Sequence, residues 1–127
     1  MEIRFLNVDL EIESTDDLKL IINGLGEEVS LLYQGEKKRE YNFASFELRN
    51  LIWSDVDSKI KSFCQLIENL SLEARIVWDN CCSRKFDAGF ESGTSPQSYQ
   101  AEIKAETIKL AAKINASVVV TIYPSKK

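Results

Sequence analysis

Residues 8–13 read VDLEIE, and their strict alternation constrains how the chain can fold. Successive side chains of a strand project to opposite faces, so Val8, Leu10 and Ile12 point one way and Asp9, Glu11 and Glu13 the other. One face of this strand belongs in a core and the other in water. Such a strand fits an antiparallel or mixed sheet covered on one side.

Moving outward, STDDLKLIINGLG at 14–26 predicts a helix with Ser14 or Thr15 as its cap, two acids in the first turn, and Gly24 and Gly26 as its stop. Residues 28–50 predict two strands joined by a turn near Gln34–Gly35. Tyr41 and Phe43 differ in parity from Phe46 and Leu48, so a bulge near Ala44–Ser45 would bring all four to the core. Ser54 opens a second helix, in which Val56, Ile60, Phe63, Ile67 and Leu70 form an apolar stripe. LEARIVWD at 72–79 alternates again and predicts a strand, and Phe86, Ala88 and Phe90 mark another. A third helix over about 105–114 buries Ile108, Ala111 and Ile114, with Asn115 as a left-handed cap. The unbroken Val118–Val119–Val120 predicts a final strand buried on both faces in a central position. The expected order is β-α-β-β-α-β-β-α-β. This is a single α+β domain over residues 1–127, with three helices mainly on one face of a mixed, mainly antiparallel sheet.

Composition narrows the chemistry. The 127 residues contain no histidine, which excludes Ser-His-Asp and Cys-His nucleophilic sites and HExxH zinc sites. GLGEEV at 24–29 resembles half of a dinucleotide fingerprint, but it follows a helix and precedes a strand, the reverse of what that motif requires. No apolar run approaches the roughly 18–20 residues of a membrane span. The opening MEIRFLNVDLEIE has the pattern of a strand and not of a signal peptide, and an odd number of cysteines, three, suits a reducing compartment; the expected location is cytoplasmic.

The most chemical-looking stretch is WDNCCSRKFD at 78–87. Arg84 and Lys85 could lower a thiol pKa, and Asp79, Asp87 or Glu91 with Arg84 could serve a carboxylate enzyme. Adjacent cysteines without histidines do not match zinc-ligand spacing, so no metal or cofactor is expected, and the plain reading is a polar connection between two strands. Charge offers a second candidate. Residues 1–57 hold 13 acidic against 6 basic side chains, whereas residues 58–127 hold 7 against 10. Asp9, Glu11 and Glu13, with Glu27 and Glu28, compose a candidate acidic docking surface, and Trp53 a candidate aromatic anchor. Their plain reading is a solvated strand face, paired across the sheet with Lys37, Lys38 or Arg39, and a packed tryptophan. Nucleic acid is not an expected partner at a sequence pI of 4.9, and EKKRE at 36–40 suits a hairpin tip.

RKFDAGFESG at 84–93 and AETIKLAAKINASVVVTIYP at 105–124, with DDLKLIINGLG, QGEK and FASFEL earlier, resemble the domain-of-unknown-function 4279 family. The resemblance implies a small α+β bacterial protein and supplies no catalytic residue. Size, acidity and lack of catalytic groups are also similar to those of immunity proteins, which neutralise a toxin, often a basic nuclease. The function expected is therefore non-enzymatic binding of a basic protein partner such as a cognate toxin. A regulatory or small-ligand-binding domain is the alternative.

Overall fold

The computed structural model describes residues 2–50, 54–94 and 97–125. Its elements run β1 (Arg4–Ser14), α1 (Lys19–Leu25), a 3-10 turn (Gly26–Glu28), β2 (Val29–Lys38), β3 (Tyr41–Leu48), α2 (Val56–Glu68), α3 (Leu72–Asp79), β4 (Ser83–Glu91), α4 (Ala105–Lys113) and β5 (Ser117–Tyr123). The strands form one five-stranded mixed sheet in the order β2-β3-β1-β4-β5. β1 lies at its centre, antiparallel to β3 and β4, and only the β4–β5 pair is parallel. A parallel neighbour needs a crossover connection, which α4 provides.

Val8, Leu10 and Ile12 of β1 are fully buried, as the alternation required, and join Phe46, Phe86 and Ala88 from its neighbours. The four helices supply the other side of the same hydrophobic cluster through Ile21 and Leu25, Ile60, Phe63 and Ile67, Trp78, and Ala111. Phe63 stacks on Phe86 with ring centroids 5.6 Å apart. The result is two layers, helices against one sheet face, with no helix among the described residues on the opposite face.

The segment 72–79 is a helix, not the expected strand, so the described residues form four α-helices and five strands instead of three and six. Ser71 caps it by accepting a hydrogen bond from the Ala74 amide at 3.2 Å. Ala74 and Trp78 are buried while Leu72 and Ile76 are 78% and 52% exposed. A spacing of four satisfies both period two and period 3.6, so the Ala74–Trp78 pair fits a strand and a helix alike. Trp78 places its indole N–H 2.9 Å from the carbonyl oxygen of Ile114, satisfying its one polar atom inside the core.

Other expectations shift with the same logic. Ser14 ends β1 instead of capping α1, and Asp17 accepts from the Lys19 amide at the entry to α1. Asp55, not Ser54, caps α2; the Ser58 amide 2.8 Å away is the main reason its carboxyl is held below the usual range. The β2–β3 turn lies at Arg39–Glu40, with Glu40 at φ 71°, so Gln34–Gly35 is within a strand and EKKRE is the hairpin tip. Register shifts fall on β2, at Leu31/Tyr33 and Glu36/Lys38, while β3 pairs regularly with β1. Tyr41 and Phe43 consequently face away from the core. Asn115 does adopt a left-handed conformation, φ 59°, and closes α4 through Asn115 N–H to Ala112 O and Ala116 N–H to Ala111 O. Ile108 is exposed, and β5 is an edge strand, the opposite of the central position expected.

The helical assignment of 72–79 separates two substitutions that a strand would treat alike. Ile76→Lys is expected to change unfolding free energy by less than about 0.5 kcal/mol, and Trp78→Ala to lower it by about 3–5 kcal/mol. Urea denaturation of the two variants measures both.

Candidate functional site on the open sheet face

The uncovered face takes its chemistry from the alternate residues of β1. Asp9 faces Glu47 on β3 and Asp87 on β4 in the strand register. Glu11 lies between Ser45 and Lys85, and Glu13 between Phe43 and Ser83. Directly opposed side chains in antiparallel strands stand about 4.5–5.5 Å apart at Cβ, close enough for like charges to destabilise each other. Five carboxylates thus share the middle of the face.

Most of them have local partners. Glu47 accepts from the Asn7 side-chain amide at 2.9 Å, and Asp87 accepts from the Thr121 hydroxyl at 2.7 Å. Glu13 forms an ion pair with Lys37 at 3.2 Å, and the same ammonium lies 4.9 Å from the Phe43 ring centroid. Lys37 is thus the cross-sheet partner the sequence suggested. The Asp9 carboxylate has no hydrogen bond or ion pair among the described residues. Partial burial, followed by the charges of Glu47, Glu11 and Asp87, pushes its pKa up to about 6. Glu11 is also raised, first by burial and then by Asp87, with Lys37 and Lys85 pulling the other way. Asp9 therefore sits in a field of like charges that disfavours its ionised form and attracts cations. It borders a shallow hollow of about 230 Å³ shared with Leu6, Asn7, Leu32, Gly89 and Tyr123. Leu6, Leu32, Tyr33 and Tyr123 are each between 43% and 50% exposed, giving the acidic centre apolar surroundings.

The face brings together Asp9, Glu11 and Glu13 but not the other candidates. Glu27 and Glu28 occupy the exposed 3-10 turn before β2, and Glu28 borders a hollow with Leu48, Lys59 and Leu66 on the helix side. Trp53 lies outside the described residues. Glu47 is not singled out by the sequence, and Asp87 is singled out there only as an enzymatic carboxylate beside Arg84, not as part of this face. Each sits between apolar neighbours in an alternating stretch, so its outward direction was readable, whereas its position beside Asp9 depended on strand pairing.

The cysteine stretch joins a helix to a strand, not two strands. Arg84 donates to the carbonyl oxygens of Cys81 at 2.5 Å, Trp78 at 3.1 Å and Asn115 at 2.9 Å, tying the end of α3 to the turn after α4. Its guanidinium thus adds donors to carbonyls at two helix ends, where the intrahelical ladder runs out. Burial pushes the Cys81 thiol up to about 11 despite Arg84, and pushes Cys64, within α2, up to about 12. Asp79 is paired with Arg75, and Glu91 with Arg4 at 2.8 Å. Among the described residues, no group of His, Cys, Asp or Glu is arranged to hold a metal ion, and no helix is long and apolar enough to cross a membrane.

Fold and face together define a two-layer α+β protein with an acidic sheet surface open to contact. No family model, no curated protein and no solved structure matches the chain.

Two measurements test this electrostatic picture. With the Asp9 carboxyl pushed up to about 6 in the native state and at the ordinary carboxylate value when unfolded, the native state holds this proton more tightly. The resulting stabilisation is complete below the unfolded value and is lost as pH rises through about 6. Asp9→Asn is therefore expected to be more stable than the parent at pH 7 by about 1 kcal/mol after solvent screening, with the gain disappearing towards pH 4. Thermal melts across that range would show it. For the thiols, brief alkylation at pH 8 of the folded protein is expected to label exposed Cys82, with Cys64 and Cys81 labelled only on unfolding, as read by peptide mass spectrometry.

Proposed function

We propose that the chain is a non-enzymatic protein-binding domain that docks its open acidic face on a basic protein partner. Within that class the reading is an immunity protein whose partner is a toxin with a cationic active-site cleft. Occlusion would neutralise the toxin: the face covers the cleft and keeps its substrate out. The observation that supports this most is the placement of Asp9, half-buried, without a cation of its own, between Glu47 and Asp87. Such a cluster lowers the stability of the free protein, and a cation from a partner would relieve the repulsion. Retaining a destabilising arrangement is what a stability–function trade-off looks like. The apolar residues around the hollow would add contact area to an attraction that charge alone makes fast and salt-sensitive.

Co-expression with a toxin encoded immediately upstream of this gene tests the proposal. The parent protein is expected to protect cells and form an isolable complex, with association slowing as salt rises. Asp9→Lys combined with Glu11→Lys is expected to weaken the complex at least about 100-fold and abolish protection, a loss of roughly 3 kcal/mol. Protection that survives this double reversal in a folded protein would remove the open face as the docking surface.

A further inference from the structure

The two edges of the sheet are built differently. β2 carries Glu36, Lys37 and Lys38, and two register shifts interrupt its pairing with β3. Charges and bulges of this kind keep an edge from pairing with another chain. β5 has neither. Ser117–Tyr123 contains no charged residue and no proline, and all seven of its positions pair with β4 in continuous register. No described residue hydrogen-bonds to the outer side of this strand. Val118, Val120 and Ile122, aligned with Phe86, Ala88 and Phe90 on the helix side, are 37%, 58% and 60% exposed. Ile108, on the helix leading into the strand, is 53% exposed.

The strand is also complementary to itself. Laid antiparallel on a second β5 about Val120, it sets Val118 against Ile122, Val119 against Thr121, and Ser117 against Tyr123. Aliphatic side chains then meet aliphatic side chains on the helix side, and no charge opposes another. A basic partner finds no carboxylate on this strand, so the acidic face does not account for it. We propose that β5 pairs with β5 of a second copy of the chain across a two-fold axis at Val120, joining two five-stranded sheets into one of ten strands. An isologous pairing of this kind closes on itself and uses up both free edges. An axis perpendicular to the sheet keeps the helices of both copies on one side and both acidic faces on the other. The surface offered to a partner is thereby doubled.

Sedimentation of the full chain from about 1 to about 300 µM tests the assembly, since an interface built on one strand is small and a dissociation constant on the order of 10 µM is expected. Val120→Lys is expected to leave a monomer throughout, with unchanged circular dichroism. Ile76→Lys, which removes an exposed isoleucine elsewhere, is expected to leave the dimer intact. A parent that stays monomeric, or a dimer that survives Val120→Lys, overturns the proposal. A second measurement holds even if Val120→Lys fails to fold. In a Cys82→Ser background, Val120→Cys places the two introduced thiols opposite each other at Cα distances of about 4.5–5.5 Å, within disulfide reach. Mild oxidation is expected to give a covalent dimer, and its absence at dimer-forming concentrations would overturn the two-fold register.

Discussion

The pairing of β1 with both of its neighbours is the constraint on which the rest of the structure depends. An eleven-residue strand at the centre of a sheet has its backbone groups satisfied on both sides, so its side chains have only the two faces to choose between. Val8, Leu10 and Ile12 commit one face to the helices. Asp9, Glu11 and Glu13 are then committed to the other by the pleat itself. A one-residue slip would exchange the two sets and place three carboxylates in the core, which makes the register strongly specified. The carboxylate cluster is thus a direct consequence of the strand that nucleates the core's geometry.

Around that strand, two tertiary hydrogen-bond systems fix the helical layer. Trp78 and Arg84 both reach the chain reversal at the end of α4, through the carbonyls of Ile114 and Asn115. The left-handed Asn115 orients those carbonyls and directs the chain into β5. The residues that looked most suited to chemistry, the cysteines and the arginine following them, are therefore part of a structural junction. Their charge and polarity are used on backbone carbonyls at the end of α3, at the end of β1 and at the turn after α4.

Much of this was legible in the sequence, and the failures have identifiable causes. The first strand, the α2 stripe, the Phe86–Phe90 alternation and the Asn115 stop were all readable, because each is a local pattern with one sensible period. The 72–79 segment was not, because an Ala–Trp pair four apart satisfies two periods, and the Ser71 cap was the signal that could have decided it. The valine run of β5 was read as central because burial on both faces and a free edge can have the same composition. Glu47 and Asp87 show the deeper limit. Each faces outward by its own alternation, but no local rule places residues 38 and 78 positions away from Asp9 beside it. That knowledge lies in strand order, and strand order here follows from long-range pairing.

The position of β1 in the chain also bears on how the protein is made. The central strand is synthesised before both of its neighbours, residues 41–48 and 83–91. An emerging β1 thus has three exposed aliphatic residues and two unpaired edges until β3 follows, and one unpaired edge until β4 has left the ribosome. Pairing of this separation makes folding slow relative to a helical bundle, because a long loop must close before any contact rewards it. During that interval the alternating carboxylates give the nascent strand a like-charged flank. Two unfinished chains side by side would have to bring six such groups together to pair through β1. The same acids that burden the finished sheet therefore guard the unfinished one against its own kind.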